Sequence, residues 1–394
     1  MKIMKTLSRK LSSEEIQSFG NELEEMRKEI LSKVGQEDAD HIKRVYKVYR
    51  YTEALGRGLL HFSFDPITFV LGTSLLTISK ILNNMEIGHN VMHGQYDWMN
   101  DKRFNSRTFE WDIVSDSSQW KFYHNYMHHT YTNVIGKDHD YGYNFTRLTE
   151  EQKWKPTYLG QVFANMFLAF NFQWGVGAHG PRVEYMEKPK KQRTKRTYKE
   201  YRDVFFKKIE LQLVKDYIFF PALAGLNFPK VFLGNLLANM FRNLWTYSVI
   251  FCGHFTENTE TFSTEELKNE TKADWYLRQL KGSSNLKGGK LFYVMTGHLS
   301  HQIEHHMFPD IPAKRYQEIA PRLQEICKRY GQHYNSAGFI KQFASVWKRI
   351  FAYSFPDKIA TKIMEPRNAK ARKRLDALSV QTITIEDKEL TAVS

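Results

Sequence analysis

Histidines are concentrated late in the chain, in the stretch Thr296–Asp310, which reads TGHLSHQIEHHMFPD. A helix with 3.6 residues per turn would carry two stripes, one with His298, His301 and His305 and the other with His298, Gln302 and His306. Neighbouring stripes of imidazoles could serve two different metal ions. A solvated polar helix, or histidines buried singly in a core, is the simpler interpretation, but four histidines in one helix of ordinary length argue against it.

Two further groups of histidines precede this stretch. In EIGHNVMH, His89 and His93 are four residues apart and share one face of a helix. HNYMHH adds His124, His128 and His129. The three groups together hold nine of the chain's 15 histidines. This concentration predicts that the three stretches meet at a metal site.

Two acidic residues follow the second group. Asp138 and Asp140 lie in GKDHDYGY, between the second histidine group and the next apolar segment. Carboxylates often accept the ring N–H of a metal-ligating imidazole, and this is one interpretation of the pair. The other, a role in loop formation and capping, stays open.

Charge and cysteine content limit the classes of partner and site. The net charge is +14, which favours an acidic neighbour such as an anionic membrane surface or an acidic protein. The basic runs lie in loops and in the tail without a recognisable module, so no nucleic-acid partner is expected. Two cysteines, Cys252 and Cys327, exclude a disulfide framework and a cysteine-ligated metal site. The N-terminus has no apolar signal-peptide region, which favours a cytoplasm-facing protein.

Apolar stretches predict helical hairpins. Pro66–Ser79 carries no charge, but it is shorter than the roughly 20 residues that span a bilayer, so a buried core helix is the alternative. Tyr217–Phe228 and Val231–Cys252 are separated by a turn that allows a helical hairpin. Pro156–Ala178 is uncharged yet contains Gln and Asn, which favours a helix in the membrane interface.

A topology follows if all histidine groups lie on one side of a membrane. Basic loops favour the cytoplasmic side, and the basic segment Lys188–Lys208 belongs there. One hairpin near 52–84 and another near 213–252 satisfy both conditions, although Glu53 and Arg57 interrupt the first helix. We therefore predict an all-α integral membrane protein with two transmembrane hairpins, about four spanning helices, and a cytoplasmic helical cap carrying the histidines.

The ends of the chain differ from its centre in composition. Residues 1–50 form a charged segment with an amphipathic helix that we expect to pack on the main domain; its apolar positions are Ile16, Phe19, Leu23, Met26 and Ile30. The main domain is predicted over 51–340. Residues 341–394 form a C-terminal extension whose basic tail is expected to be disordered from about Glu365.

The ligand type limits the chemistry without deciding the metal. Imidazole sites suit Zn, Cu, Fe or Ni. A zinc protease is disfavoured because no HExxH motif occurs, and the soluble di-iron bundle needs two Glu-x-x-His motifs where this chain has one, Glu86–His89. More histidines are present than one metal binds, which favours two metals. Two histidine-bound irons beside a membrane indicate oxygen activation on an apolar substrate.

HNVMH, HNYMHH and QIEHH resemble the three histidine boxes of the membrane-bound fatty acid desaturase family. With Gln302 opening the third box, the ending QIEHHMFPD resembles the branch of front-end and bacterial acyl-CoA or acyl-lipid desaturases. The resemblance, from about Leu55 to Tyr330, implies a desaturase domain over 51–340 with four transmembrane helices and two Fe ions. It implies that O2 and two electrons introduce a cis double bond into a long acyl chain.

The resemblance also implies a ligand set. By position, the catalytic ligands are His89, His93, His124, His128, His129, His305 and His306. His254 matches an additional family histidine, and His298 matches one in the GHLN run of front-end members, so both join the metal ligands. His301 has no match and is expected to support the ligands from behind.

The implied partners are an acyl-CoA or acyl-lipid substrate, membrane lipid and an external electron donor. No HPGG haem motif occurs, so electrons are expected from a separate protein such as ferredoxin with its reductase. The expected location is the cytoplasmic (inner) membrane, with the active site and both termini facing the cytoplasm. Two alternatives remain: a di-iron lipid or alkane hydroxylase, which the QIEHH ending disfavours, and a histidine-rich membrane metal-binding or transport protein. Transport sites usually lie near the midplane, unlike these boxes.

Overall fold

Helices dominate the structure, a computed structural model that describes residues 7–187 and 197–364. The predicted all-α class is confirmed at this level; the described strands are β1 (Asn285–Lys287) and β2 (Ser336–Gly338), which pair in parallel. The predicted disorder from Glu365, and positions 188–196 of the basic segment, lie outside the described residues. The α-helices are α1 (Ser13–Ser32), α2 (Gln36–His61), α3 (Pro66–Leu82), α4 (Asn90–Met92), α5 (Ser117–Trp120), α6 (His129–Tyr131), α7 (Gln161–Phe170), α8 (Phe172–Glu187), α9 (Tyr198–Leu213), α10 (Phe220–Leu223), α11 (Phe228–His254), α12 (Lys272–Gly282), α13 (Lys290–Met295), α14 (Gln302–Met307), α15 (Tyr316–Arg329) and α16 (Phe339–Tyr353).

The first predicted hairpin consists of α2 and α3. Asp65 begins α3, since its carboxylate accepts a hydrogen bond from the Thr68 N–H at 2.9 Å, and Pro66 occupies the first turn. The two helices approach closely where Gly56 faces Leu76; a Cβ on Gly56 would lie 2.8 Å from the Leu76 nitrogen. A glycine is therefore required at this crossing.

The second predicted hairpin is also present. α9 continues through a π-helical turn, Val214–Phe219, into α10, and the chain reverses before α11 begins at Phe228. Pro229 lies in the first turn of α11, where its missing N–H costs no hydrogen bond. α11 ends at His254, so its last residue is one of the histidines considered as metal ligands.

Charges that interrupt the apolar faces of the hairpins point inward. Arg57 pairs with Glu53 at 3.2 Å and lies 3.8 Å from Asp216. Lys80 of α3 contacts Asp216 at 2.8 Å, and the Asn239 amide of α11 donates to Asp216 at 3.0 Å. These contacts join all four hairpin helices. The interruption of α2 is thus an internal ion-pair network, the usual place for charges among membrane helices.

One described helix, Pro66–Met92, is long and apolar enough to cross a membrane by length and composition. It has a mean hydropathy of 1.3 in its best window. This finding agrees with one of the four predicted spans.

The N-terminal helix packs on the cap, as predicted. Phe19, Leu23, Met26 and Ile30 of α1 are buried in one core with residues of α12, α14 and α15. α2 runs across the expected boundary at 50/51, and α16 runs across the one at 340/341. In the structure these two positions lie within helices.

The segment predicted to lie in the membrane interface buries polar side chains and exposes aromatic ones. α7 buries Gln161 and Asn165, while Phe163 is 76% and Phe167 is 72% exposed. Exposed aromatic rings beside buried amides indicate that the outer face of α7 meets an apolar medium. With 10 residues α7 is too short to span a bilayer, and Asn171 separates it from α8.

Candidate metal centre

The prediction that Thr296–Asp310 forms one helix is wrong. Gly297 and His298 have φ values of 64° and 56°, a 3₁₀ turn follows over Leu299–His301, and α14 begins at Gln302. The chain turns here because it passes close to the first box. A Cβ on Gly297 would lie 2.7 Å from the Met85 carbonyl carbon. The two histidine stripes of a single helix therefore do not exist, although His305 and His306 still point to different groups.

The first box begins at the end of a π-helical segment, Asn83–His89, and most of the second box lies within another, Lys121–His128. Such turns are rare and frequent at functional sites. The His89 and His93 ring centroids lie 4.6 Å apart, which confirms the shared helix face predicted from their spacing. The widened turns direct the histidines of both boxes toward the third.

Eight of the nine predicted ligands come together, in two neighbouring groups. The first group contains His89, His93, His124 and His305, and its candidate donor atoms all lie within 4.8 Å of one another. Its rings come from all three boxes. The His89 and His305 centroids are 4.8 Å apart, and those of His93 and His305 are 4.7 Å apart.

The second group contains His128, His254 and His306. The Nε2 atoms of His128 and His254 are 3.3 Å apart. Two nitrogens that bind one tetrahedral metal at about 2.0–2.1 Å are separated by about 3.3 Å, so this spacing fits a shared metal ion. His129 lies between the groups; its ring stacks on His306 at 4.3 Å and lies 4.9 Å from His305.

Most of the inward-facing ring nitrogens have no hydrogen-bond partner. Among residues 7–187 and 197–364, the buried atoms without a partner include the Nε2 atoms of His89, His93, His124, His129, His305 and His306. A buried polar atom without a partner costs free energy, about 1–3 kcal/mol by mutational data, and such atoms are few in native structures. Six that converge are explained if metal ions bind them, so the residues fit the two metals that the sequence predicted.

The outward-facing nitrogens of His124 and His128 are held by carboxylates. The Asp140 carboxylate accepts a hydrogen bond from His124 Nδ1–H at 2.9 Å, and Asp138 accepts one from His128 Nδ1–H at 2.9 Å. Asp138 also accepts from the Asn133 backbone N–H at 2.8 Å. The interpretation of these aspartates as partners of ligand imidazoles therefore agrees with the geometry. Each bond keeps the proton on Nδ1 and leaves Nε2 free for a metal.

Four further partners of this kind were missed by the sequence reasoning, and one is Thr132, whose hydroxyl lies 3.2 Å from His306 Nδ1. Asn90 Oδ1 lies 3.3 Å from His89 Nδ1, Gln279 Oε1 lies 3.1 Å from His306 Nδ1, and the Tyr316 hydroxyl lies 3.3 Å from His305 Nδ1. Asn90 directly follows a box histidine, so its position in the sequence could have indicated this contact. Gln279 and Tyr316 come from α12 and α15 and carry no local signal.

His298 does not join either group. Its Nδ1–H donates to Glu86 at 2.8 Å, and its Nε2 accepts from the Gln317 amide at 3.0 Å. The other Glu86 oxygen accepts from His41 Nε2–H of α2 at 2.7 Å. The structure thus places this predicted ligand in a separate triad, His41–Glu86–His298, because the turn at Gly297 directs its ring toward Glu86.

His301 also lies apart from both groups. Its ring packs edge-on against Tyr293 at 4.6 Å, and its Nδ1 is 3.4 Å from the Ser300 hydroxyl. No described contact joins it to one of the eight converging histidines. The expectation that it supports the ligands from behind remains a prediction.

Burial affects the ionisation of the centre. It lowers the pKa of His129, His305 and His306 well below the ordinary value, and neighbouring imidazoles act in the same direction. Neutral imidazole is the form that binds metals. Burial also raises the pKa of Glu304 to about 7, although Tyr334 and Asn285 donate hydrogen bonds to it.

A cavity begins at the histidines. His89, His124, His128 and His254 line one end. Most of the wall is aromatic or aliphatic, from Trp111, Ile113, Trp120, Tyr123, Tyr143, Phe172, Val176, Ile250 and Phe255. Because Trp120 stacks on His124 at 4.3 Å, the apolar wall reaches the metal centre itself.

Comparison with known proteins identifies the family. The family model for fatty acid desaturases matches residues 65–338. The chain belongs to the fatty acid desaturase family. This desaturase is 39% identical over 354 residues to the NADPH-dependent stearoyl-CoA 9-desaturase of Mycobacterium tuberculosis, covering 88% of this chain and 82% of the relative.

More distant relatives act on lipids by name. The sn-1 linoleoyl-lipid 6-desaturase of Synechocystis is 26% identical over 69% of this chain and 77% of its own, and that of Arthrospira platensis is 24% identical over 67% and 72%. The family resemblance predicted from the three boxes is confirmed. The protein is an oxidoreductase that desaturates fatty acyl chains, and the comparisons favour this function over the hydroxylase and transport alternatives.

Proposed function

We propose that this desaturase introduces a cis double bond into a long acyl-CoA at a centre of two irons. The observation that carries the proposal is the convergence of Nε2 atoms without hydrogen-bond partners beside an apolar cavity. The name of the mycobacterial relative supports a CoA substrate and position 9. An acyl-lipid, as in the names of the two cyanobacterial relatives, is the second candidate substrate.

The residues divide the work between binding metal and binding substrate. His89, His93, His124 and His305 hold one iron, and His128, His254 and His306 hold the other, with His129 between them. Bound iron supplies the oxidising chemistry when O2 and electrons arrive. Over one turnover O2, two electrons and two protons, together with two hydrogens removed from adjacent carbons, give one double bond and two waters.

The protein's own contribution is orientation and exclusion of water. Asp138 and Asp140 keep the rings of the second box in one tautomer and one orientation. The aromatic wall binds an apolar chain that offers no charge for recognition, so the cavity shape must select the carbons that react. Removal of water from this site also protects the reacting centre from side reactions.

The proposed membrane arrangement has four spanning helices: α2, α3, the helix from α9 to α10, and α11. Large apolar side chains are exposed on the hairpins; Phe64 is 81%, Ile67 is 72% and Leu223 is 62% exposed. Lipid contact accounts for this exposure. α7 then lies in the interface, and the boxes, both termini and the segment at 188–208 face the cytoplasm of the inner membrane.

Labelling in intact cells tests this arrangement. A cysteine introduced at Lys199, after replacement of Cys252 and Cys327, should react with a membrane-impermeant thiol reagent only after the cells are opened. A cysteine at Leu226, in the turn between α10 and α11, should react from outside. Reaction of the Lys199 position from outside would show that α7 and α8 span the membrane, and the interfacial assignment would fail.

Electrons come, in this proposal, from a separate carrier and a reductase. The name of the mycobacterial relative is NADPH-dependent, which supports a reductase, whereas ferredoxin as the carrier rests on the sequence resemblance. The purified desaturase should be inactive until a carrier, its reductase and NADPH are added.

The decisive assay supplies labelled stearoyl-CoA, O2, NADPH and a reconstituted electron chain and analyses the products by mass spectrometry. The expected product is an acyl chain with a new cis double bond, and iron analysis should give two irons per chain. Hydroxylated chains without a double bond would favour the hydroxylase alternative. Iron clearly below one equivalent in active protein would contradict the di-iron centre.

A further inference from the structure

A basic surface lies where the first hairpin leaves the proposed membrane. The outer face of α2 presents Arg44, Lys47, Tyr51 and Leu55 at intervals of three or four residues, with Val48 beside Lys47, and all five are exposed. This spacing places them on one stripe of the helix. The stripe changes from cationic to apolar within about one helical turn, roughly 5.4 Å.

A second segment brings more cations to the same place. The loop that follows the first box packs on α2, since the Phe104 ring contacts Tyr46 edge-on at 5.5 Å and Arg103 lies over Tyr46 at 5.7 Å. This loop exposes Lys102 and Arg107. We use the name basic shelf for Lys43, Arg44, Lys47, Lys102 and Arg107.

The charge of the basic shelf is only partly balanced by the described residues, since Glu37 interacts electrostatically with Arg44 and Asp101 with Lys43. Neighbouring cations are paired: Arg50 contacts Glu53 at 2.7 Å, and Arg103 contacts Asp101 at 2.6 Å. None of the five shelf residues has a described carboxylate within 4.0 Å. Because none of these carboxylates forms a direct ion pair with a shelf residue, the shelf keeps a positive surface that can bind an external anion.

We propose that the basic shelf binds the headgroups of anionic phospholipids in the cytoplasmic leaflet. The proposal rests on the proposed membrane orientation. Its support is the continuity of the stripe: Tyr51 and Leu55 enter the apolar layer, so Lys47 and Arg44 lie at the depth of the lipid phosphates. A juxtamembrane basic cluster attracts anionic lipid within a Debye length of the surface. An acidic protein partner would not require the apolar continuation below the cations.

The full chain, reconstituted in phosphatidylcholine vesicles, tests the proposal with trace spin-labelled phosphatidylglycerol or phosphatidylcholine. The fraction of each label immobilised by the protein gives a relative association constant. We expect phosphatidylglycerol to be favoured about fivefold, on the order of one favourable cation contact, with the preference falling as salt is added. The triple variant Arg44→Gln, Lys47→Gln, Lys102→Gln should bring the ratio close to one.

A matched variant controls for net charge. The control variant Lys10→Gln, Lys28→Gln, Lys328→Gln removes three exposed cations, from the segment before α1, from α1 and from α15 respectively. It should keep the wild-type ratio. A wild-type ratio of one, or equal ratios in the two triple variants, overturns the proposal. So does a shelf variant that retains lipid preference while it loses electron transfer from an acidic carrier, since the shelf then binds protein.

The outcomes also separate this proposal from the proposed function. A chain that fails to incorporate into vesicles contradicts the membrane arrangement itself. A chain that incorporates and desaturates but shows no lipid preference contradicts the basic shelf alone.

Discussion

Buried histidines occur in two places in this desaturase, and their hydrogen bonding differs. In the candidate centre the Nε2 atoms of six histidines have no hydrogen-bond partner among the described residues, whereas His254 Nε2 accepts from the Gln302 amide at 2.9 Å. In the His41–Glu86–His298 triad, both carboxylate oxygens accept from imidazole N–H groups at 2.7 and 2.8 Å.

The difference supports the proposal that the centre binds metal and that the triad is a supporting contact. Distances of 2.7–2.8 Å are those of direct hydrogen bonds to a carboxylate, and Gln317 occupies the remaining nitrogen of His298. The triad is complete without a metal, although its residue types would suit one. In the centre, bound metal would satisfy ring nitrogens that have no hydrogen-bond partner. Buried histidines therefore have two different roles, and the hydrogen bonds of their ring nitrogens distinguish the two.

The largest effect is expected from His305→Ala. His305 belongs to the first group and contacts His129, so its loss removes a proposed ligand where the groups meet. Desaturation should fall below detection, and iron per chain should drop below two. Iron analysis and product mass spectrometry measure both, with His61→Ala at the far end of α2 as the control. Full activity in His305→Ala would remove the basis for the ligand assignment.

A smaller loss is expected from Asp138→Asn. The amide keeps the size of the carboxylate but accepts the His128 N–H less strongly, and partners of this kind typically contribute about 10–100-fold to metal affinity or activity. Iron affinity, measured by competition with a chelator, should fall within that range. Asp203→Asn, at an exposed surface ion pair with Lys199, is the matched control and should change nothing measurable. Equal behaviour of the two variants would make Asp138 a loop residue.

The box histidines were predictable because their signal is local. His89–His93 and His124–His128 each lie within about one helical turn, so spacing alone orients them, and Asp138 and Asp140 are close in sequence to the histidines they contact. The two hairpins followed from apolar runs separated by turns. The packing of α1 followed from the regular spacing of Phe19, Leu23, Met26 and Ile30.

What could not be predicted depends on backbone contacts between distant segments. His298 leaves the metal groups because Gly297 adopts a positive φ where its backbone meets Met85. No pattern in the chain announces that contact. Likewise His41 lies in a segment assigned to the periphery, yet its ring reaches Glu86 beside the first box. Gln279 and Tyr316 contact ligand histidines only because α12 and α15 pack around α14.

Glu86→Gln tests the other side of the comparison. In the glutamine amide only the oxygen accepts hydrogen bonds, because the other terminal atom is an NH2 donor. The triad should therefore loosen, and activity should fall by up to about tenfold. Iron should stay at two per chain, because the triad holds no metal. Metal analysis before and after the substitution decides this. A fall from three metals to two would show that the triad is a third metal site.

His41→Ala and His41→Gln separate a positioning role from a packing role in the same triad. Glutamine can still donate an N–H to Glu86, whereas alanine cannot. We expect a few-fold loss of kcat in the alanine variant and recovery in the glutamine variant, with thermal stability similar in both. Equal losses in the two variants would indicate that the imidazole ring matters through packing alone.

The smallest effect is expected from His301→Ala. The ring packs against Tyr293 and makes a long contact with Ser300, and it touches none of the eight converging histidines. Its removal leaves a small cavity, so the free energy of unfolding should fall by about 1 kcal/mol, while part of the activity and all of the iron remain. Iron content, turnover and denaturant unfolding of the same preparation measure the three quantities. If activity and iron are instead lost completely, as for His305→Ala, then His301 binds a metal in the working enzyme, and the division between histidines with and without partners does not identify the ligands.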